Sequence, residues 1–485
     1  MSLKKLITES TDEEIILHFL KEKISGTEWE NKVFLVGGAV RDEIMGKSAK
    51  DLDFVINGDI NSGIDFSTWL SKELGIFKLN SNPVIYPKFG TAKLSLLNNK
   101  LDLPDIELEF VAPRIEKYTS GSRNPEVSGG ELIDDVMRRD LTINSLMKNI
   151  SNDEIIDLTG NGISDIKNGI IRTPNDSDIT FKDDPLRMLR AIRFTVKYGF
   201  DISKELLQSI QKNAELINTI SNERIKDELN KIITSPKPDK GIRLLKISGL
   251  LKHIIGEFDD AIGMRQNVHH TEDVFKHSMS VLKNTPPELN TRLIALFHDI
   301  GKVLTKTVSP EGSVHFYGHE MESANIVKDV MRRLKYPNKL IDSVSNGVEH
   351  HMKLKHGGDD ATKLSDKSLR KFLNAVGDNL ESILDVIHAD NIAHSDESAM
   401  KNQIDIVRNR ISKLDKQIDK KHLKLPINGK DLIQMGFKPS PLMGKVLTAI
   451  EDAWYDNPEI TRDEAISIAK QFKLDDNINE IRKLL

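Results

Sequence analysis

Two short patterns hold the chemistry open to this chain. In DLDFVIN (51–57), Asp51 and Asp53 stand two residues apart in an alternating run that predicts a strand. A period of two puts both carboxylates on one face. Adjacent carboxylates repel, so a cation normally compensates them, and oxygen ligands at this spacing suit Mg²⁺, which also bridges substrate phosphates. A bare D-x-D is more often an exposed polar strand face; here the context points further. Gly37 and Gly38 end the apolar run VFLV, Arg41 follows, and Asp51 comes fourteen residues after Gly37. A glycine pair turns backbone N–H groups toward phosphate. Glu107 and Glu109 share a face of IELEF (106–110), and either completes a two-metal set. The pattern is that of a nucleoside triphosphate and metal site.

The second pattern is built on histidine. Twelve of the fourteen histidines lie between His253 and His394. LIALFHDIGK (293–302) places His298 and Asp299 together on an apolar helix, which takes two polar groups into the interior at once. His277, His319, His351 and Asp390 are the further candidate ligands, with His350 competing with His351. Imidazole and carboxylate suit Mn²⁺, Ni²⁺, Fe²⁺, Co²⁺ or Zn²⁺. Lys302, one turn after Asp299, reads equally as a phosphate contact or a solvated lysine.

These patterns need scaffolds. The chain has 485 residues, enough for three or four domains, with 38% hydrophobic and 29% charged residues. No apolar run is long enough to cross a bilayer, and the N-terminus lacks the h-region of a secretion signal, so no membrane partner is expected. There is no cysteine, which excludes disulfides and thiolate sites and fits a reducing cytoplasm. With a net charge of −5, any RNA site must be a local basic surface.

Periodicity predicts an N-terminal amphipathic helix to about Glu30, then mixed α/β structure to about Asp157. Within it, VFLVGG, DLDFVIN, TAKLSLL and DIELEFVA read as strands, AVRDEIMG as a helix closed by Gly46, and FSTWLSKELG as a helix ended by Gly75. The pattern after Phe181 is almost wholly helical, with a long charged helix over about 404–421 and a small C-terminal unit after Pro426.

GGAVRD (37–42) with DLD (51–53) resembles the nucleotidyltransferase signature of class II CCA-adding enzymes and bacterial poly(A) polymerases. DDVMRRDLTINSL (134–146), TFKDDPLRMLRAIRF (180–194) and ERIKDELNKI (223–232) resemble the motifs that follow, in the family's order. The resemblance implies a multidomain α/β and all-α chain: an N-terminal helix (1–30), a mixed-sheet, polymerase β-like head (31–157), a helical neck and body (158–260), an all-α HD domain (261–400) and a helical tail that contacts the tRNA body (401–485). It implies Mg²⁺ on Asp51 and Asp53, with CTP, ATP and tRNA as partners. It selects Glu109, five residues before Arg114, as the third carboxylate. It assigns Arg138, Arg139 and Asp140 to the sugar and triphosphate, with Asn144 completing the motif.

Asp184 and Arg187 are three apart in a stretch read as helical, so they share a face. Aspartate accepts from the amino group of cytosine or adenine and arginine donates to the ring nitrogen, an order that guanine and uracil reverse. The resemblance credits this pair with reading the base. Asp183 stands where the family has glutamate, and Asp-Asp-Pro alternatively reads as a helix cap. Arg190 is expected on triphosphate or the tRNA end; Arg193 is left open. Residues 113–130, polar and glycine-rich, read as the family's flexible loop, which leans toward full CCA addition.

The order H…HD…H…H…D resembles the HD phosphohydrolase superfamily, which cleaves phosphate esters with metal-activated water. That likeness implies a core site of His277, His298, Asp299 and Asp390, a second metal on His319 and His351, and phosphatase or 2′,3′-cyclic phosphodiesterase activity. The rival readings are a poly(A) polymerase or A-only enzyme on the same scaffold, and an HD phosphohydrolase with a regulatory nucleotide-binding head.

Overall fold

A computed structural model describes residues 12–484 except 49–50, 75–77, 81, 99–102, 118–125, 267–271, 356–358, 395–399 and 416–424. The chain divides into two units, Met1–Gly256 and Glu257–Leu485.

The first unit opens with the helix Asp12–Ile24, shorter than expected because the chain turns from Ser25. The sheet that follows comprises β1 (Val33–Val36), β2 (Leu52–Ile56), β3 (Lys78–Leu79), β4 (Val84–Tyr86), β5 (Thr91–Asn98), β6 (Leu103–Val111), and, later in the chain, β9 (Met147–Asn149) and β10 (Ile155–Ile156). Its order is β10-β9-β1-β2-β6-β5-β3, with β4 also paired to β5. Only β2 and β6 run parallel; the other pairings are antiparallel. All four residues of β1 are buried, as its unbroken apolar run requires. On one face Phe66, from the helix Ser62–Leu70, packs edge-on to Phe110, which stacks on Phe54 at 5.3 Å. A second cluster joins Phe34, Val36, Val55, Val136 and Met147.

Three expectations for this unit need correction. The helix expected to reach Gly75 ends at Leu70, and Gly75 itself lies outside the described residues. The segment read as a loop is a hairpin at both ends: β7 (Arg114–Lys117) pairs antiparallel with β8 (Glu126–Gly129), because RIEK and EVSG alternate well enough to form a ladder. The helix read through Asp184 is broken there. Ser177–Asp183 ends, Asp184 is extended (φ −145°, ψ 100°), and Leu186–Tyr198 begins after Pro185. The proline ring disfavours helical geometry in the residue before it, and with Asp184 extended, Asp184 and Arg187 do not share one helix face. Leu186–Tyr198 buries Leu186, Leu189, Ile192 and Val196 at helical spacing and stops at Gly199, whose φ of 77° suits glycine.

The second unit is almost entirely helical among its described residues. The helices Val274–Lys283, Leu289–Phe297, His319–Arg333, Asn338–His350 and Leu380–Ile392 pack around the buried histidines. The charged helix spans Gln403–Asp415; its expected continuation lies outside the described residues. The C-terminal helices Gly429–Gln434, Pro441–Asp456 and Arg462–Leu484 close on Ile427, Leu432, Phe437, Val446 and Ile450.

Candidate active site and candidate metal centre

Sheet register sets the first site. Asp53 of β2 pairs with Glu109 of β6, and Glu109 pairs with Lys93 of β5, so three charged residues form one row across three strands. Lys93 Nζ lies 2.9 Å from Glu109 Oε2. Asp51 immediately precedes β2, and both aspartates are open to solvent. The surrounding protein, then the charge of Glu109, then that of Asp51 raise the pKa of Asp53; Arg139 and Lys93 oppose the rise. Carboxylate oxygens are the donor type that a divalent cation takes, but among the described residues Asp51, Asp53 and Glu109 are not drawn together as tightly as the histidine groups of the second unit, and Glu109 is ion-paired with Lys93. Glu107 faces Ser95 in β5 and has no ladder partner in β2. Arg114 holds the turn before β5 by donating to the Phe89 carbonyl at 3.1 Å.

Gly37 acts differently from expectation. Gly37 has φ 73°, and its N–H returns to the Leu146 carbonyl at 3.3 Å instead of pointing outward. A Cβ there would meet Arg139 Nη1 at 3.2 Å, so both backbone and neighbour require glycine. Gly38 opens the helix Gly38–Ile44, which carries Arg41. Arg41 is buried against the ring of Tyr198 (4.8 Å), donates to Asp42 at 2.9 Å and also donates to Asn144 Oδ1.

From Asn144 a chain of bonds crosses to the neck. Asn144 Nδ2 donates to Asp140 Oδ1 at 3.1 Å, and Asp140 Oδ2 receives Arg190 Nε at 2.7 Å and Nη2 at 2.6 Å. Burial would raise the pKa of Asp140, but Arg190 and Asn144 outweigh it and hold it below the usual carboxylate range. Asp140 and Arg190 are thus committed to each other. Arg138 and Arg139 are both anchored on the fully buried Asp135, Arg139 Nη2 at 2.9 Å from it. Their combined charge outweighs the burial of Asp135 and lowers its pKa. Both guanidinium groups stay partly exposed, so each can meet a phosphate while being held from behind.

In the neck, Asp184 Oδ1 accepts the Leu186 N–H at 3.1 Å and Oδ2 accepts Arg224 Nη2 at 2.8 Å. It therefore holds the first turn of the following helix, with its side chain 21% exposed. Arg187 makes no ion pair or hydrogen bond through its side chain among the described residues and is half-buried. Arg193 is structural: its Nε lies 2.7 Å from Glu228, and its guanidinium sits 4.2 Å from the Phe194 ring centre.

The second unit brings all six expected ligands together. His277, His298 and Asp390 form one buried group, and Asp299, His319 and His351 another, with ligand atoms within 4.8 Å of one another in each. His298, His319 and His351 share one device. Each points Nδ1 at the carbonyl three residues earlier, at 2.8 Å (Ala295), 2.9 Å (Phe316) and 2.6 Å (Val348). That bond puts the proton on Nδ1 and leaves the Nε2 lone pair for a metal. All three Nε2 atoms are buried and turn toward the Asp299 carboxylate, at 3.3 Å (His298), 3.2 Å (His319) and 3.7 Å (His351), without hydrogen-bond geometry; lone pairs facing a carboxylate are an expensive state unless a cation sits between them. Burial pushes His351 down to about 4, so it is neutral, the form that ligates. His351, buried, lies in the group with Asp299 and His319, whereas His350 is half-buried and in neither group. His277 Nε2 lies 3.0 Å from Asp390 Oδ1. Gly301 lets the helix from His319 approach: a Cβ would fall 2.4 Å from Ser323 N and 2.5 Å from the His319 carbonyl.

Three positioning residues were not singled out from the sequence. Asp135 had a signal, since Arg138 and Arg139 follow at i+3 and i+4. Arg224 lay in a quoted motif without a role. Lys355, 2.5 Å from Asp390 Oδ2, had no local signal.

Comparison with known proteins identifies relatives of the sequence and of the fold. Residues 33–172 match the poly(A) polymerase head domain model, 199–262 the model for the RNA and SrmB-binding site of polymerase A, and 317–469 the model for domain 2 of tRNA nucleotidyltransferase. The chain is 32% identical to the multifunctional CCA protein of Haemophilus influenzae, over 66% of this chain and 74% of that one. The chain belongs to the CCA-adding tRNA nucleotidyltransferase family. The mitochondrial CCA tRNA nucleotidyltransferase of Saccharomyces cerevisiae is 27% identical across 90% of this chain and 87% of its own. The fold matches the Bacillus stearothermophilus CCA-adding enzyme solved with CTP, with a TM-score of 0.63 at 20% identity over 96% of this chain and 98% of that one. Among the described residues of this family member, no helix is long and apolar enough to cross a membrane.

Proposed function

We propose that the chain adds or repairs the 3′-terminal CCA of tRNA, using CTP and ATP without a nucleic-acid template. The observation that carries this reading is the Asp53–Glu109 row beside Arg138 and Arg139, both held on Asp135. Asp51, Asp53 and Glu109 would hold Mg²⁺, which supplies charge to activate the ribose 3′-OH and to stabilise the departing pyrophosphate. Arg138 and Arg139 bind the triphosphate. The Arg41–Asn144–Asp140–Arg190 relay fixes the pocket wall next to the base-reading residues. Asp184 and Arg187 select cytosine and adenine by hydrogen-bond order. Cytoplasmic placement belongs to the same proposal and rests on the absence of cysteine.

A tRNA ending at the discriminator base, offered CTP, ATP, both or all four nucleotides, tests the reading. Two steps with CTP and a third that needs ATP are expected. A long ladder with ATP alone would make the chain a poly(A) polymerase.

The three orphaned imidazole nitrogens favour a second activity in the second unit. We read the six ligands as an HD-type centre that removes phosphate from RNA ends, as a phosphatase or 2′,3′-cyclic phosphodiesterase. A transition metal there would supply Lewis-acid activation of water. Metal content of the purified chain, with and without His298→Ala, tests this part.

A further inference from the structure

The two carboxylates of the histidine centre each hold a lysine, but the lysines differ. Lys302 Nζ lies 2.7 Å from Asp299 Oδ2 and 2.7 Å from Gln266 Oε1, and 5.4 Å from the Phe316 ring centre. An ammonium has three N–H donors; two of those of Lys302 meet oxygens and a ring lies within cation–π reach, so Lys302 is the more fully engaged of the two. Lys355, with a side chain only 12% exposed, has one partner among the described residues, Asp390 at 2.5 Å. Among the described residues two of its donors meet no acceptor, in a largely buried place where an oxygen-rich ligand would take them.

We propose that Lys355 is the phosphate-binding cation of this centre and that it tunes the site to a terminal phosphomonoester in preference to a cyclic phosphodiester. The inference rests on the metal-centre reading above. Charge balance sets the preference. Lys302 offsets Asp299 and Lys355 offsets Asp390, while the histidine ligands are neutral when they coordinate. Every divalent cation that binds therefore adds uncompensated positive charge. A phosphomonoester carries about −1.5 to −2 at neutral pH, against a single charge on a cyclic diester, so the monoester balances the site better. It also has one more terminal oxygen for the open donors of Lys355. The reaction that supplies such a substrate is one that opens a cyclic phosphate or cleaves RNA to leave a terminal phosphate.

The test uses the full chain loaded with Mn²⁺ and two short RNAs that differ only in ending with a 3′-phosphate or a 2′,3′-cyclic phosphate. The 3′-phosphate should be the better substrate. Lys355→Met should raise KM for it, and the Kd for inorganic phosphate measured by calorimetry, by about 10- to 100-fold, the range of a charged hydrogen bond. The cyclic substrate should lose much less, and Lys355→Arg should restore most of the phosphate affinity. Equal losses on both substrates, or unchanged phosphate affinity in Lys355→Met, would overturn the proposal. Loss of bound Mn²⁺ from Lys355→Met with recovery in Lys355→Arg would also overturn it, by making Lys355 only a support for Asp390. A wild-type chain that binds no Mn²⁺ and hydrolyses neither RNA would instead remove the metal-centre reading, and this inference with it.

Discussion

Glu109 stands directly beside Asp53 in the parallel pairing of β6 with β2, and the ladder begins only at Leu52 with Leu108, so Glu107 has no partner in β2. The register separates two acids that strand alternation alone leaves equivalent. Glu109→Gln should lower kcat for CTP addition about 100-fold, the scale of losing one electrostatic group at a reacting centre. Glu107→Gln should stay within about threefold on the same surface-substitution logic. Single-turnover addition to a tRNA lacking CCA measures both, and a reversed order would move the third carboxylate to Glu107.

The extended conformation of Asp184 yields a prediction about selectivity. Its two oxygens are fixed by the Leu186 N–H and by Arg224, so the carboxylate has one orientation toward a base. Asp184→Ala should erode discrimination against UTP and GTP by about 100-fold or more, because polar complementarity is what rejects the wrong base. Arg224→Ala should cause a smaller loss in the same direction, by freeing the carboxylate without removing it. Misincorporation in four-nucleotide reactions reads both. An Asp184→Ala variant that still takes only CTP and ATP would place base reading elsewhere.

What could be read from the sequence divides along physical lines. Period two predicted Asp51 and Asp53 on one side, although Asp51 falls just before β2, and a His-Asp pair in an apolar helical run announced a buried polar centre, although the helix stops at Phe297 and the pair sits in the turn that follows; both are local signals. The six metal-centre candidates were all legible because imidazole and carboxylate are rare in apolar surroundings. The break at Asp184 was also local, since Pro185 disfavours helix before it, yet helical periodicity on both sides outweighed that signal. The hairpin of Arg114–Lys117 with Glu126–Gly129 was hidden by a glycine- and serine-rich middle. The ion pairs Arg224–Asp184 and Lys355–Asp390 join residues 40 and 35 apart and depend on packing that no local pattern encodes. The Gly37 N–H was misread because its acceptor, the Leu146 carbonyl, belongs to a distant turn.

Gly301 offers a way to disturb one centre alone. Its missing Cβ makes room for the backbone of Ser323 and His319, which cannot yield as a flexible side chain does. Gly301→Ala should push the helix His319–Arg333 away and cost about 1–3 kcal/mol, as overpacking does. The expected outcome is a lower thermal midpoint and weakened metal binding, while CTP and ATP addition persist at an unchanged kcat. Unaltered metal content, measured by mass spectrometry, would show that the close approach of Gly301 to His319 does not set the ligand geometry.

The two activities, if coupled, would act in sequence on one damaged end. A tRNA that ends in a 2′,3′-cyclic phosphate or a 3′-phosphate has no free 3′-OH, so nucleotide addition cannot begin until the phosphate is removed. His298 lies in the second centre, its Nε2 3.3 Å from Asp299 Oδ2, and far along the chain from the head carboxylates. His298→Ala should therefore abolish hydrolysis and leave extension of a tRNA with a free 3′-OH at the wild-type rate. The same variant should fail on phosphate-ended tRNA, and pretreatment of that tRNA with an independent phosphatase should restore full extension. Gel analysis of both substrates in parallel separates the steps. Unchanged repair of the phosphate-ended tRNA by His298→Ala would mean that the buried histidine centre takes no part in preparing the end that the head extends.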